Sequence, residues 1–249
     1  MDAIVVAAAC AVIAGAALQS ALGFGFALVA APLTYAAFGP EQGVGLLLAL
    51  GLEVNLLTLL AERRRPAPVW ADVAWVVPFS LPGALLGVVV LRGLDDLALQ
   101  LLVSVAVLGT LVVNLRAAHR RTAPRHTPPG WARPLSGVAS GALNTSTSTG
   151  GPPLVLLLMG RGLEPATVRD TLTAAFVGFA VMSTAALVIT GTAEAAPDAG
   201  RLAVLVPLTA LGQLLGRPLF RRLVGAASYE RVLAVVLMLS IALGMISVL

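Results

Sequence analysis

Polar residues are so sparse along this chain that the apolar runs between them set its outline. A bilayer core of about 30 Å takes about 20 apolar residues in a helix. Gly43–Ala61, Val73–Leu91 and Leu97–Leu115 meet this in the first half, and Ala166–Thr190, Leu202–Phe220 and Val232–Leu249 in the second. Ahead of each set of three lies a further apolar stretch that is free of charge but broken by glycine and proline. Ala3–Pro40 contains LQSALGFGFALVAAPL, and Pro134–Gly160 contains GALNTSTSTGGPPLVLLL. Broken apolar segments at matching places in two halves point to a binding site at the centre of a membrane transporter.

The halves correspond in sequence as well as in layout. Val76–Leu94 lines up without gaps on Leu205–Leu223, pairing Pro78 with Pro207, Gly83 with Gly212 and Gly87 with Gly216. That register predicts a duplication, with these glycines and Gly15 serving helix packing. The chain divides into a first repeat (1–115), a solvated connector rich in Arg and Pro (116–133) and a second repeat (134–249), all within one integral membrane domain.

Composition narrows the class. The chain has 249 residues, 58% hydrophobic and 11% charged, with mean hydropathy +0.95. Soluble domains carry about 25% charged residues, so a globular soluble protein is excluded. The formal net charge of +4 comes from arginines in short loops between apolar spans, which does not indicate nucleic-acid binding. The lone Cys10 excludes an intramolecular disulfide framework and a cysteine-rich metal site. No phosphate-cradling GxxxxGK[ST] loop is present, so ATP drive within this chain has no support. Neither a cofactor nor a metal is expected. The expected partners are a small anionic substrate and the lipid bilayer, without nucleic acid and with homo-oligomerisation left open.

Orientation follows from charge. By the positive-inside tendency, Arg63–Arg65, the connector, the loop Arg161–Glu164 and the cluster Arg217, Arg221, Arg222 and Arg231 are cytoplasmic. The acidic loops Arg92–Asp96 and Thr192–Gly200 and the C-terminus are external. Pro134–Gly160 then starts and ends on one side. At roughly 1.5 Å per residue it is too short for two full crossings, so a re-entrant hairpin or two half-helices meeting at the Thr/Ser/Gly run is predicted. Ala3–Pro40 becomes a hairpin or tight helix pair entered from outside. The expected fold is therefore all-α: a polytopic helical membrane protein of two inverted repeats, each a broken or re-entrant hairpin plus three membrane-spanning helices.

The breaks carry the candidate chemistry. Backbone groups freed by a helix break in hydrocarbon must be paired or must line a water-filled cavity. Asn144–Thr149 is an unbroken run of hydrogen-bonding side chains, and Gly150-Gly151-Pro152-Pro153 starts a new helix, as proline suits the first helical turn. A helix N-terminus beside hydroxyls at membrane depth favours a small anion. Gln19, Ser20, Gly23 and Gly25 hold the corresponding place in the first half. The substrate-binding candidates are these four with Asn144, Thr145, Ser148, Gly150, Gly151, Pro152 and Arg169, the last reaching from a neighbouring segment. Taken singly, each hydroxyl of Thr145–Thr149 fits helix packing as well as ligand contact. Taken together, beside GGPP, they favour a site. Glu53, in LALGLEVNLLTLL, is a candidate proton-coupling group or a structural acid paired to a polar neighbour, because a carboxylate there calls for a partner or a proton. Gln213 and Arg217 share a helix face.

GFGFALVAAPL and SGALNTSTSTGGPPLVLLLMGRGLEPATVRDTL (Ser140–Leu172) resemble the paired motifs of the TauE/SafE sulfite-exporter family of membrane permeases, and LGQLLGRPLFRRL…ERVLAVVLMLSIALG resembles its last two spans. The resemblance implies a transporter of sulfite or another small sulfur-containing or organic anion in the bacterial inner membrane. By position it points to Gln19, Gly23, Gly25, Pro32, Asn144, Gly150, Gly151, Pro152 and Arg169. The run Asn144–Thr149 departs from the glycine and apolar residues more frequent in that family. Two other classes compete. A serine-dependent intramembrane enzyme would use Ser20, Ser146 or Ser148, but serine chemistry needs a nearby base and both histidines, His119 and His126, lie in the connector. A non-transporting scaffold would have no use for polar groups at mid-membrane depth.

Overall fold

A computed structural model describes residues 3–60, 65–95, 97–99, 101–102, 105, 109, 112, 128–158, 161, 163–192 and 196–223. Among them every element is a helix: α1 (Ala3–Leu22), α2 (Phe26–Phe38), α3 (Pro40–Leu60), α4 (Trp70–Gly93), α5 (Ala132–Thr147), α6 (Gly151–Leu158), α7 (Pro165–Ile189) and α8 (Ala199–Leu223). Four of the expected spans appear as α3, α4, α7 and α8. Leu97–Leu115 is described only at scattered helical positions, while Val232–Leu249, most of the connector with its histidines, and the C-terminus lie outside the described residues.

The distribution of polarity is that of a protein solvated by lipid. Gln19, Asn55, Thr145, Thr171 and Gln213 are buried, whereas Trp75, Leu86, Val89, Leu214 and Leu215 stand exposed. In water such an apolar surface would be an association liability. Among the described residues, five helices are long and apolar enough to cross a membrane, α1 among them. This makes the chain a polytopic helical membrane protein.

Both broken stretches fold as helix–break–helix. In the first, α1 has 20 residues and α2 has 13. In the second, α5 has 16 and α6 only 8, about 24 Å and 12 Å long. The breaks fall in one register. The first arms end at Leu22 and Thr147, the second arms begin at Phe26 and Gly151, and the following helices begin at Pro40 and Pro165. All these pairs share one separation along the chain.

The two hairpins open at opposite ends of the bundle. At one end Asp72, in the first turn of α4, accepts a hydrogen bond from Arg133 Nε at 2.8 Å and pairs with Arg161 as well. One carboxylate thereby ties the start of α5 to the chain just past α6. Nearby, Asp170 and Thr171 of α7 accept the N–H groups of Ala67 at 2.7 Å and Val69 at 2.9 Å, holding the approach to α4. At the other end Arg201, in the first turn of α8, bonds Gln42 at the start of α3 and lies 4.6 Å from the centre of the Phe38 ring at the end of α2.

Glycines fix the crossings between the halves. Gly83 and Gly87 of α4 lie against the backbone of Val138 and Ala142 in α5, and Gly212 and Gly216 of α8 against Ile13 and Ala17 in α1. Both pairs of helices therefore run parallel. A Cβ built on Gly83 would lie 2.8 Å from Val138 Cα, and one on Gly216 2.7 Å from Ala17 Cα. No larger side chain fits either crossing without separating the helices. The glycines aligned between the halves thus make equivalent contacts, each pair on the first arm of the other half's hairpin.

Candidate functional site

Local chemistry makes the two breaks. In the first, Gly23 (φ 80°) and Gly25 (φ 110°) adopt backbone conformations that a Cβ resists. Gln19 then bridges the gap, its Oε1 accepting the Phe26 N–H at 2.9 Å and its Nε2 donating to Asn55 Oδ1 at 2.7 Å. Asn55 is held in turn by its own donation to the Gly51 carbonyl at 2.7 Å. In the second break Ser148 takes the left-handed conformation (φ 56°) without being glycine. Its N–H and that of Thr149 return to the carbonyls of Asn144 and Leu143, closing α5. Asn144 Nδ2 and Thr145 Oγ1 both donate to Ser183 Oγ on α7, at 2.9 and 2.8 Å. Ser146 donates to Ala142 O and Thr147 to Leu143 O, while the Thr149 hydroxyl meets that of Thr147 and the Ser148 hydroxyl that of Tyr35.

The tips of the hairpins meet around one cavity of about 60 Å3, measured as space for the centres of water-sized molecules. A cavity needs about 10–15 Å3 on this measure to hold a water, so there is room for a small solvated group. Gln19, Gly25, Asn144, Ser148, Gly150, Gly151 and Pro152 all line it. Phe26–Leu28 and Gly151–Pro152 present the first turns of α2 and α6, so two positive helix ends converge there. Pro152 and Pro153 have no N–H, which leaves Gly150 and Gly151 as the backbone donors at the start of α6. Among the described residues that line the cavity, none is charged.

Six candidates, Ser20, Gly23, Pro32, Glu53, Thr145 and Arg169, stand outside the lining. Ser20 is buried in α1, with its carbonyl accepting Arg169 Nη2 at 2.8 Å. Arg169 packs its stem against Gly23, where an added Cβ would lie 3.1 Å from Arg169 Cα. The arginine thereby holds the C-terminal end of α1, a favourable place for a cation. Thr145 points to Ser183. Glu53, half-buried on α3, accepts the Thr209 hydroxyl of α8 at 2.9 Å. Pro32 is buried inside α2.

Other lining groups escape a reading of the sequence. Phe24, Leu47, Gly51, Asn55 and Phe176 also form the wall, and Tyr35 reaches Ser148 across the halves, hydroxyl to hydroxyl at 3.4 Å. A signal for Asn55 existed in its spacing. It lies four residues from Gly51 and hence on the same helix face, while Glu53 between them points elsewhere. Of the candidate serines, Ser146 and Ser148 meet only carbonyl or hydroxyl oxygens, and Ser20 Oγ is buried without a hydrogen-bond partner among the described residues.

Fold and paired breaks together define the class, a polytopic helical membrane protein. The chain belongs to the Sulfite exporter TauE/SafE family, which matches residues 7–244. It is similar to the "Probable inner membrane transporter protein TsaS" of Comamonas testosteroni, with 28% identity over 202 residues that cover 81% of this chain and 82% of that protein. No solved structure matches the chain.

Proposed function

We propose that this protein is a secondary transporter of the bacterial inner membrane. Its cargo is a small anion, sulfite or another sulfur-containing or organic anion. It works by alternating access at the cavity between the two breaks. The family and the inner-membrane relative support the cargo class and the location. The observation that carries the mechanism is convergence: two hairpins that open at opposite ends of the bundle bring two helix N-termini and the amides of Gln19, Asn55 and Asn144 to one cavity. On this reading the halves are inverted repeats, and rocking one against the other exposes the cavity to each side in turn. Neutral donors and helix ends would bind an anion without a permanent countercharge to hold it back.

Anion flux in vesicles of the purified protein tests the proposal, with sulfite, thiosulfate, sulfonates and carboxylates as probes. Asn144→Leu and Gly151→Leu should each reduce flux at least about 10-fold, the loss expected when a positioned polar contact is removed or the cavity is filled, while the protein stays folded. Unchanged flux in both variants would remove the site. Labelling of cysteines placed at Gly162 and Ala196 should come from the cytoplasmic and external faces respectively, and labelling of both from one face would break the inverted arrangement.

A further inference from the structure

We infer that Glu53 on α3 is a reversible proton site that couples proton movement to the substrate cavity. The inference rests on the transporter reading above and adds the coupling ion to it.

The argument starts at Thr209 of α8. Its Oγ1 lies 2.9 Å from Glu53 Oε2, 2.7 Å from the Leu205 carbonyl and 2.9 Å from the Val206 carbonyl. A hydroxyl has one proton to donate and lone pairs to accept with, so it satisfies these neighbours in two ways. With Glu53 ionised, Thr209 donates to the carboxylate. With Glu53 protonated, a new O–H bond forms at the carboxyl as a hydronium ion gives up one O–H bond and leaves as water, the acid donates to Thr209 Oγ1, and the threonine proton turns to Leu205 O. The acid loses one negative charge, and both protonation states are hydrogen-bonded with no heavy atom displaced. Such a pair accommodates the proton and equally its departure.

The seam around it is polar in the same sense. One turn along α8, Gln213 Nε2 donates to Thr58 Oγ1 at 2.7 Å, and Thr58 donates to the Val54 carbonyl at 2.7 Å. Gln213 Oε1 is buried and, among the described residues, has no hydrogen-bond partner. An orphaned acceptor one helical turn from the threonine that meets the acid is a place for a water.

Charged groups on the neighbouring elements are engaged elsewhere. Tyr35 of α2 meets Ser148, Arg169 of α7 holds Ser20 O, Asp170 holds Ala67 N, and Arg201 of α8 bonds Gln42. On the other two elements packed against α3, Cys10 of α1 is exposed and Arg133 of α5 pairs with Asp72. Glu41 lies on α3 itself, in its first turn. The side chains of Arg217, Arg221 and Arg222, further along α8, lie outside the described residues.

Coupling follows from the geometry of α3. Gly51 and Asn55 line the cavity, while Glu53 is about 200° round the helix and faces the other half through α8. Moving the halves past each other displaces this contact, and an ionised carboxylate is costly to move through hydrocarbon. Protonation removes that cost, so the state of the acid and the position of α3 against α8 are linked.

The test uses vesicles of the full-length protein with an entrapped pH dye and a simple alkyl sulfonate, which carries no titrating proton near neutral pH. In the wild type, sulfonate movement should carry protons with it. Glu53→Gln should keep exchange of labelled for unlabelled sulfonate within about three-fold while proton movement falls at least about 10-fold, because the amide imitates one protonation state only. Thr209→Val should reduce proton-driven flux several-fold, and Thr209→Ser, which restores the hydroxyl, should recover it. Proton movement that persists in Glu53→Gln, or sulfonate movement without protons in the wild type, would overturn the site. So would Thr209→Ser behaving like Thr209→Val. A wild-type protein that moves neither sulfite, sulfonates nor carboxylates overturns the transporter reading, and this inference with it.

Discussion

The two breaks occupy the same register and are built from different chemistry. The first relies on glycine for its turn and on one amide, Gln19, to pair the N–H that opens α2. The second turns at a serine held in a left-handed conformation, with its hydroxyls paired to carbonyls and to Ser183. The first break is thus permissive backbone with an aromatic lining, Phe24 and Phe26, and the second is mildly strained backbone with a polar lining. Two chain breaks can thus keep one register, which packing dictates, while differing in the side chains that face the cavity. Of the polar run Asn144–Thr149, only Asn144, Ser148 and Thr149 line the cavity.

Four substitutions would break or sharpen the contrast. The largest effect is expected from Gly23→Val. Its φ of 80° suits a branched residue poorly and its Cβ direction is filled by Arg169, so strain and overlap together should cost about 3 kcal/mol or more. Loss of monodisperse protein after mild heating in detergent would show it; a protein as robust as wild type would mean that the first break does not depend on glycine. Next comes Asp72→Asn, which leaves Arg133 and Arg161 facing each other without their shared carboxylate. Asp72 is fully buried but Arg133 is part-exposed, so about 2 kcal/mol is expected, below the range for a fully buried pair. Arg201→Gln at the mouth of the first hairpin should cost less than about 1 kcal/mol, as exposed polar contacts do. Equal melting shifts for the two variants would show that the hairpins are anchored alike. Smallest is Ser148→Gly, which should stabilise by about 0.5–1 kcal/mol by relieving the left-handed serine, while giving up its long contact to Tyr35. A clear loss of stability instead would mean that the Ser148–Tyr35 contact outweighs the backbone strain.

Much of the architecture was legible in the residues. Helical spans follow from runs of apolar side chains that must match a bilayer thickness, and the break positions from Gly23, Gly25 and Gly150–Pro153, where the backbone either loses its Cβ or lacks an N–H. The glycine pairs Gly83/Gly87 and Gly212/Gly216 announced packing, though their partners did not appear in the sequence. Within the site the reading was uneven. Gln19, Asn144 and the GGPP turn do line the cavity, whereas Arg169 sits at the end of α1 and Thr145 turns to Ser183. A side chain's direction around a helix is local, but the group it meets depends on which helix lies there.

By itself the sequence determined a lipid-solvated helical protein with two broken apolar stretches, each followed by long apolar helices. Those features are local: hydropathy, the missing Cβ of glycine and the missing N–H of proline act within a few residues of themselves. Only the tertiary structure decided that both breaks share one cavity, that Asn55 rather than Arg169 stands beside Gln19 there, and that Asp72 gathers both ends of the second hairpin. It also set Glu53 against Thr209, on the face of α3 turned away from the cargo. These pairings join residues far apart in the chain, and they follow from how closely glycine-lined helices can cross, a property of two surfaces that neither segment carries alone.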